Sequence, residues 1–355
     1  DDIGNRTGTK TGGDAGGESS ATPTKPRAGG NGAEKAADVS VPQNGAEIQE
    51  LPQCTSALPS TPYYMSADDS NSMASPAIAR ELLNAGLAPN PTQIRTYEFL
   101  NYYNALYDIP AMGDGLGVHV DLQQLPGSPT EKTRRYRLQV GVQAFQVPRV
   151  PLVITYVIDT SGSLVGAGLA RERQALLAIG DHLQEGDIVN VVTWSTKNNV
   201  LLEGYVATGK EEDQGALAEA VTGLLPGGGS DLHGGLTKAY ELAQAHFDVN
   251  KLNRVVLLSD GGANLGVLDR DVIAAAAEQA QEEGIYLVGV GVGPAKAYSD
   301  TLMDLVTDAG RGAYVYLDSP EEATRVFDEK FDEIMNVAAR NVRVEVDLPP
   351  YLDIE

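Results

Sequence analysis

Residues 151–163 read PLVITYVIDTSGS. The run from Leu152 to Ile158 is almost wholly apolar and ends on an aspartate. A strand with one face in water alternates apolar and polar residues; a near-continuous apolar run marks a strand covered on both faces. Such a strand belongs inside a parallel sheet with helices on each side. The sequence DTSGS after it is a turn rich in oxygen-bearing side chains.

The residues that follow keep this reading. A helical stretch runs from Leu169 to Leu183, then the strand IVNVVTW (188–194) and NNVLLEGY (198–205), a short antiparallel neighbour. Helical patterns cover Glu211–Leu224 and Leu236–Phe247, and the strand RVVLLSD occupies 254–260. Next come a helix from Asp271 to Glu283, the strand IYLVGVGV (285–292), a helix from Thr301 to Asp308, the strand AYVYL (313–317) and a last helix from Glu321 to Val337. Alternation of strands and helices predicts an α/β fold, a doubly wound, mostly parallel six-stranded sheet with helices on both faces. We assign this domain to residues 150–339.

The flanks read differently. Residues 1–62 are rich in Gly, Ser, Thr, Pro, Ala and Asn; GTKTGGDAGGESSATPTKPRAGGNG (8–32) has no large apolar side chain. Such a segment buries too little surface to offset its ordering entropy, so a disordered tether is expected. Residues 63–110 carry two short amphipathic helices. One opens at Ser75-Pro76 and uses Ile78, Leu82, Leu83 and Leu87; the other starts near Pro91 and uses Ile94, Tyr97, Leu100 and Tyr103. Residues 111–149 form a β hairpin, since GVHVDLQQL and RYRLQVGVQAF both alternate around the turn PGSPTE. Residues 340–355 alternate again, in NVRVEVDL, and suit a half-exposed sheet. We expect that strand to return to the hairpin, so that a small β domain flanks the α/β domain or receives it as an insertion, and to be cut short at Glu355.

Composition narrows the partners. Of 355 residues, 49 are acidic and 26 basic, a formal net charge of -23. Phosphate binding needs clustered Lys and Arg, so nucleic acid is excluded as a partner, and an anionic membrane surface fits no better. No apolar run reaches the roughly 18 residues of a transmembrane helix. The single cysteine, Cys54, permits no intrachain disulfide and reads as an incidental thiol. The chain opens at Asp1 without Met, which we read as a processed or trimmed N-terminus.

Three loops concentrate chemistry. IDTSGS brings Asp159, Ser161 and Ser163; GGGSDLHGG (227–235) brings Ser230 and Asp231; LLSDGGANLG (257–266) brings Asp260. Ligand sites of doubly wound sheets lie beyond the carboxyl ends of the strands, where Asp159 and Asp260 both fall. Asp159, Ser161, Ser163, Ser230 and Asp260 offer oxygen only. Two carboxylates and three hydroxyls suit a hard cation such as Mg²⁺, with Mn²⁺ or Ca²⁺ as alternatives; zinc more often recruits His or Cys. Two carboxylates match the ion's charge without filling its coordination, so one position stays open for an outside ligand. Asp231 reads as a helix N-cap, Asp187 as support for a turn, and Trp194 as core. The scattered histidines His119, His182, His233 and His246 lack zinc spacing.

D-x-S-x-S at Asp159, Ser161 and Ser163, the hydroxyl at Ser230 and S-D-G at Asp260 resemble, in order and spacing, the metal-ion-dependent adhesion site of von Willebrand factor A domains. The resemblance spans roughly 190 residues and implies the fold named above. It also implies a bound divalent cation that takes a Glu or Asp carboxylate of a protein partner. The chain departs from the family at Ser230, where Thr is usual; the hydroxyl is kept. RTYEFLNYYNALYDIP (95–110), the hairpin after it and NRVVLLSDGGANLG (253–266) are similar to the bacterial YfbK-type group of that family. That likeness implies an extracytoplasmic, envelope-associated setting.

The expectation is therefore a non-enzymatic adhesion or interaction module. A structural subunit of a metal-dependent surface assembly, including self-assembly, is the alternative. A serine hydrolase fits worse, because D-x-S-x-S is not the G-x-S-x-G elbow and no histidine stands ready as base. A phosphatase of the haloacid dehalogenase type would need Asp where Ser161 stands. GVGVGPAKA (289–297) lacks the full phosphate-binding loop.

Overall fold

The computed structural model describes residues 61–66, 72–103, 107–111, 113–127, 133–146, 148–282, 284–339, 342–349, 352 and 354. Cys54 and the expected tether, apart from its last two positions, lie outside the described residues.

Described elements begin with strand β1 (Thr61–Ser66), helices α1 (Ala74–Asn84) and α2 (Thr96–Tyr103), and the hairpin strands β2 (Leu116–Gln124) and β3 (Tyr136–Ala144). The α/β part follows with β4 (Leu152–Asp159), α3 (Ala167–Gly180), β5 (Ile188–Trp194), β6 (Asn199–Val206), α4 (Glu211–Thr222) and α5 (Leu232–Ala245). It continues through β7 (Leu252–Ser259), α6 (Arg270–Glu282), β8 (Ile285–Gly291), α7 (Asp300–Ala309), β9 (Tyr314–Tyr316), α8 (Pro320–Thr324) and α9 (Phe331–Met335), and β10 (Arg343–Leu348) comes last.

The main sheet has the order β6-β5-β4-β7-β8-β9. All its pairings are parallel except β5 with β6. Every residue of β4 is buried, as its unbroken apolar run requires. Alternate side chains serve opposite faces. Leu152, Ile154, Tyr156 and Ile158 join one core with Leu176 and Ile179 of α3 and Leu217 of α4. Val157 joins the other with Leu236 of α5, Ile273 of α6 and Val306 of α7. The chain winds from β4 outward to β6, then crosses back to β7 and winds the other way. A crevice therefore opens beyond the ends of β4 and β7, where the strand order reverses. At the far edge, a Cβ on Gly312 would lie 1.5 Å from the Leu287 carbonyl oxygen, so only glycine lets β9 close onto β8.

The expected six-stranded α/β sheet is present. Several finer expectations need correction. Strand β10 does not return to the hairpin; it pairs antiparallel with β1, Tyr63 opposite Val346. β1 itself lies where the composition reading placed the end of the tether and the start of the helical segment. Alternation announces a half-exposed strand but carries no address for its partner. The hairpin strands pair with each other, Val118 opposite Val142.

The second amphipathic helix is also turned. A 3₁₀ turn at Pro91–Gln93, capped by Asn90, precedes α2. Ile94, Tyr97, Leu100 and Tyr103, the expected buried stripe, are exposed. The buried residue of α2 is Glu98, whose Oε1 accepts from Arg95 Nε at 2.8 Å and whose Oε2 accepts from the Ser75 amide at 2.6 Å. Ionic contacts won over apolar periodicity here. The segment ahead of α1 covers the open edge of β9, with the Met73 amide donating to the Tyr314 carbonyl at 2.8 Å. The expected single last helix is broken: a π-helical turn at Arg325–Glu329 and Lys330 separate α8 from α9.

Candidate metal centre

Asp159 closes β4 and is fully buried. Its Oδ1 accepts from the Ser161 amide at 2.8 Å and its Oδ2 from Ser259 Oγ at 2.8 Å. The first contact folds the DTSGS turn back on its own aspartate. The Ser161 and Ser163 hydroxyls lie 2.9 Å apart, the first buried and the second exposed.

Two further loops are stitched to this one. The Gly227 amide donates to the Thr160 carbonyl at 2.8 Å, and the Gly162 amide to the Gly228 carbonyl at 3.2 Å. Ser230, buried, donates its amide to Asn264 Oδ1 at 2.8 Å and accepts at its carbonyl from the Asn264 amide at 2.9 Å. Asp260 follows β7; its Oδ1 accepts from the Gly262 amide at 2.9 Å. A Cβ on Gly262 would lie 2.9 Å from Asp260 Oδ1 and 3.8 Å from Ser230 Oγ, so the glycine sits between them with room for no side chain. The structure thus brings all five sequence-selected residues to the crevice between β4 and β7.

The neighbouring candidates do other work. Asp231 caps α5 by accepting from the Gly234 amide at 3.0 Å. Asp187 accepts from the amides of Leu152 and Gln184. Trp194 is fully buried in core. Asn264 ties the second loop to the third through its hydrogen bonds with Ser230.

Sequence reasoning missed two residues. Ser259 was legible as the first letter of S-D-G, but its hydroxyl was not expected to hold Asp159. Glu172 sits fully buried on α3. Its signal was helical spacing: Leu169, Glu172, Leu176 and Ile179 share the buried stripe. The flanking Arg171 and Arg173 disguised it as a solvated charged face.

Burial and like charge dominate the electrostatics of these carboxyls. Burial pushes the Asp159 carboxyl up to about 7; the charge of Asp260 adds to the rise, and hydrogen bonds from Ser161 and Ser259 oppose it. Burial, then the charges of Asp159 and Asp260, raises Glu172 well above the usual carboxyl range. A pH dependence follows. In the unfolded chain Asp159 ionises near 3.8, in the folded chain near 7. Between those values the native state holds the extra proton, so its contribution is full below 3.8 and is lost as pH rises to about 7. In EDTA, the melting temperature should fall more steeply over this window for the wild-type chain than for Asp159→Asn. Equal slopes would refute the assignment.

Comparison with known proteins agrees with this geometry. Residues 154–329 match the family model of the von Willebrand factor type A domain. The chain is 28% identical over 293 residues to the Escherichia coli protein YfbK, covering 77% of this chain and 48% of that protein. It is 25% identical over 225 residues to sll0103 of Synechocystis, covering 63% and 51%. The chain thus spans about half the length of the curated relatives it matches. Among solved structures, the von Willebrand factor type A protein of Catenulispora acidiphila superposes with a TM-score of 0.47 at 16% identity, covering 62% of this chain and 50% of that one. The sheet order, the crevice and the family match agree: residues 154–329 of this chain are a von Willebrand factor type A domain.

Proposed function

We propose that the domain is a non-enzymatic binding module in which Asp159, Ser161, Ser163, Ser230 and Asp260 hold one divalent cation, Mg²⁺ first, with Mn²⁺ or Ca²⁺ as alternatives. When bound, the cation supplies an open coordination position for a Glu or Asp carboxylate of a protein partner. The observation that carries this reading is the pair of buried aspartates at the ends of adjacent strands, ringed by hydroxyls. Water cannot screen two such carboxylates, and a hard cation answers both their charge and their oxygen chemistry.

The local hydrogen bonds serve that task. Ser161 and Ser259 hold Asp159 from both sides, so its carboxylate does not rotate when a ligand arrives. Asn264 fixes Ser230. The net charge of -23 argues against nucleic acid, and among the described residues no helix is long and apolar enough to cross a membrane. YfbK and sll0103 are bacterial, and the composition of residues 1–62 suits a tether on an extracytoplasmic surface. Against a serine hydrolase, Ser161 Oγ meets Ser163 Oγ and no histidine bonds to it among the described residues.

The test uses Mn²⁺ as cation and acetate as carboxylate probe. Bound Mn²⁺ with an exchangeable water enhances the relaxation of solvent protons. Acetate should lower that enhancement by displacing the water, and EDTA should abolish it. An enhancement that acetate leaves unchanged would count against the open position; no binding of Mn²⁺ would sink the site.

A further inference from the structure

Helix α1 precedes the matched domain, residues 154–329, yet it reaches the back of the crevice. The link is Glu81. Its Oε1 accepts from Arg171 Nη2 of α3 at 3.3 Å. Its Oε2 accepts from the Ala295 amide at 3.3 Å and meets Tyr316 OH of β9. Two of these groups converge again on one atom: the Gly293 carbonyl oxygen lies 2.7 Å from Arg171 Nη1 and 2.6 Å from Tyr316 OH.

Gly293 and Ala295 belong to the loop between β8 and α7, and that loop abuts Asp260. A Cβ on Gly293 would lie 3.2 Å from Asp260 Cβ. The Val292 amide donates to the Ser259 carbonyl at 3.0 Å, and the Ser299 amide to the Asp260 carbonyl at 2.9 Å. The segment after α1 grips the far end of the loop, where Arg95 takes both oxygens of Asp300. A lone, partly exposed ion pair contributes little. Glu81 is placed differently, because it gathers three donors from three other elements around one loop.

We propose that α1 clamps the metal centre through Glu81, which holds the β8–α7 loop against Asp260. This rests on the metal-binding reading above. Glu81 bonds to the loop and its supports, so it is a positioning residue that acts through them. The crevice is thereby set in part by a residue outside the domain, and a displacement of α1 reaches Asp260 by way of Ala295 and Gly293.

Hydrogen exchange in EDTA reads the clamp without a metal, and Mn²⁺ titration reads its effect on the site. Glu81→Ala should speed exchange of the Ala295 amide and its loop neighbours by about tenfold or more, the size of one lost charged hydrogen bond, and leave the β4 amides slow. It should weaken Mn²⁺ by about three- to thirtyfold, the range for residues that act on a site through a packed network. Glu81→Gln keeps one acceptor oxygen and should restore part of both. Arg80→Ala is the control: it cuts the ion pairs of α1 to Asp318 and Glu322 and should leave both readouts near wild type. Unchanged loop exchange in Glu81→Ala, an equal rise in Arg80→Ala, or faster exchange with Mn²⁺ affinity intact would each overturn the proposal. Wild-type chain that binds no Mn²⁺, while Glu81→Ala still frees the loop, would remove the metal reading and leave the clamp on the crevice in place.

Discussion

Asp159→Ala should abolish divalent cation binding, with a loss of at least about a hundredfold in affinity. Asp159 is the more deeply buried member of the pair and the one held from two sides, by the Ser161 amide and by Ser259 Oγ. Removing an outer contact to a metal typically costs 10–100-fold, and a charged ligand removes more. The remaining set would be Asp260 and three hydroxyls, too little charge to strip the waters from Mg²⁺. Calorimetric titration with Mg²⁺ and Mn²⁺ measures the loss. Because the same substitution removes a buried carboxyl crowded by Asp260, the metal-free variant should stay folded, which circular dichroism checks. Affinity equal to wild type in a folded variant would end the case for this site.

Arg95→Ala should be the most damaging single change to stability outside the sheet. Arg95 Nε donates to Glu98 Oε1 at 2.8 Å, while Nη1 and Nη2 donate to the two oxygens of Asp300 at 2.8 and 3.0 Å. Glu98 is fully buried and Asp300 nearly so, and Tyr314 OH also donates to Asp300 at 2.8 Å. The guanidinium thus joins the segment before α2 to the start of α7 and to the edge strand β9. Deleting it strands two buried carboxylates beside Asp304, a third carboxyl that burial already pushes up to about 6. Breaking a buried pair from one side costs about 3–5 kcal/mol, which for a domain of this size lowers the melting temperature by roughly 10 °C. The exposed pair Lys238–Glu241 is the control, and Lys238→Ala should change stability by less than about 1 kcal/mol. A loss below about 1 kcal/mol in Arg95→Ala would show that the cluster is dispensable.

The two substitutions probe parts of the molecule that differ in legibility. Asp159 was readable because strand burial and loop chemistry are written locally: an apolar run, then D-x-S-x-S. Arg95 and Glu98 were not. Their stretch, IRTYEFL, offers a helical apolar stripe, and periodicity alone turns Ile94, Tyr97 and Leu100 inward. In the fold these are exposed, because the three ionic partners of Arg95, two of them some 200 residues away, pull the opposite face in. Glu172 failed in the reverse direction. Its helical spacing points inward while its residue type points outward, and the two signals conflict in the sequence.

The sequence by itself determined the six-stranded α/β sheet, its parallel character and the set of oxygen-bearing residues beyond the strand ends. These follow from the period of apolar residues and from the turns that end strands, both of which act between residues close in the chain. Only the tertiary structure decided that β10 pairs with β1, that α2 buries a glutamate, that the last helix breaks at Arg325–Glu329, and that Glu172 of α3 lies fully buried. Each of these depends on which distant groups meet, and the free energy of such meetings is set by burial and charge between elements, which a linear pattern does not encode.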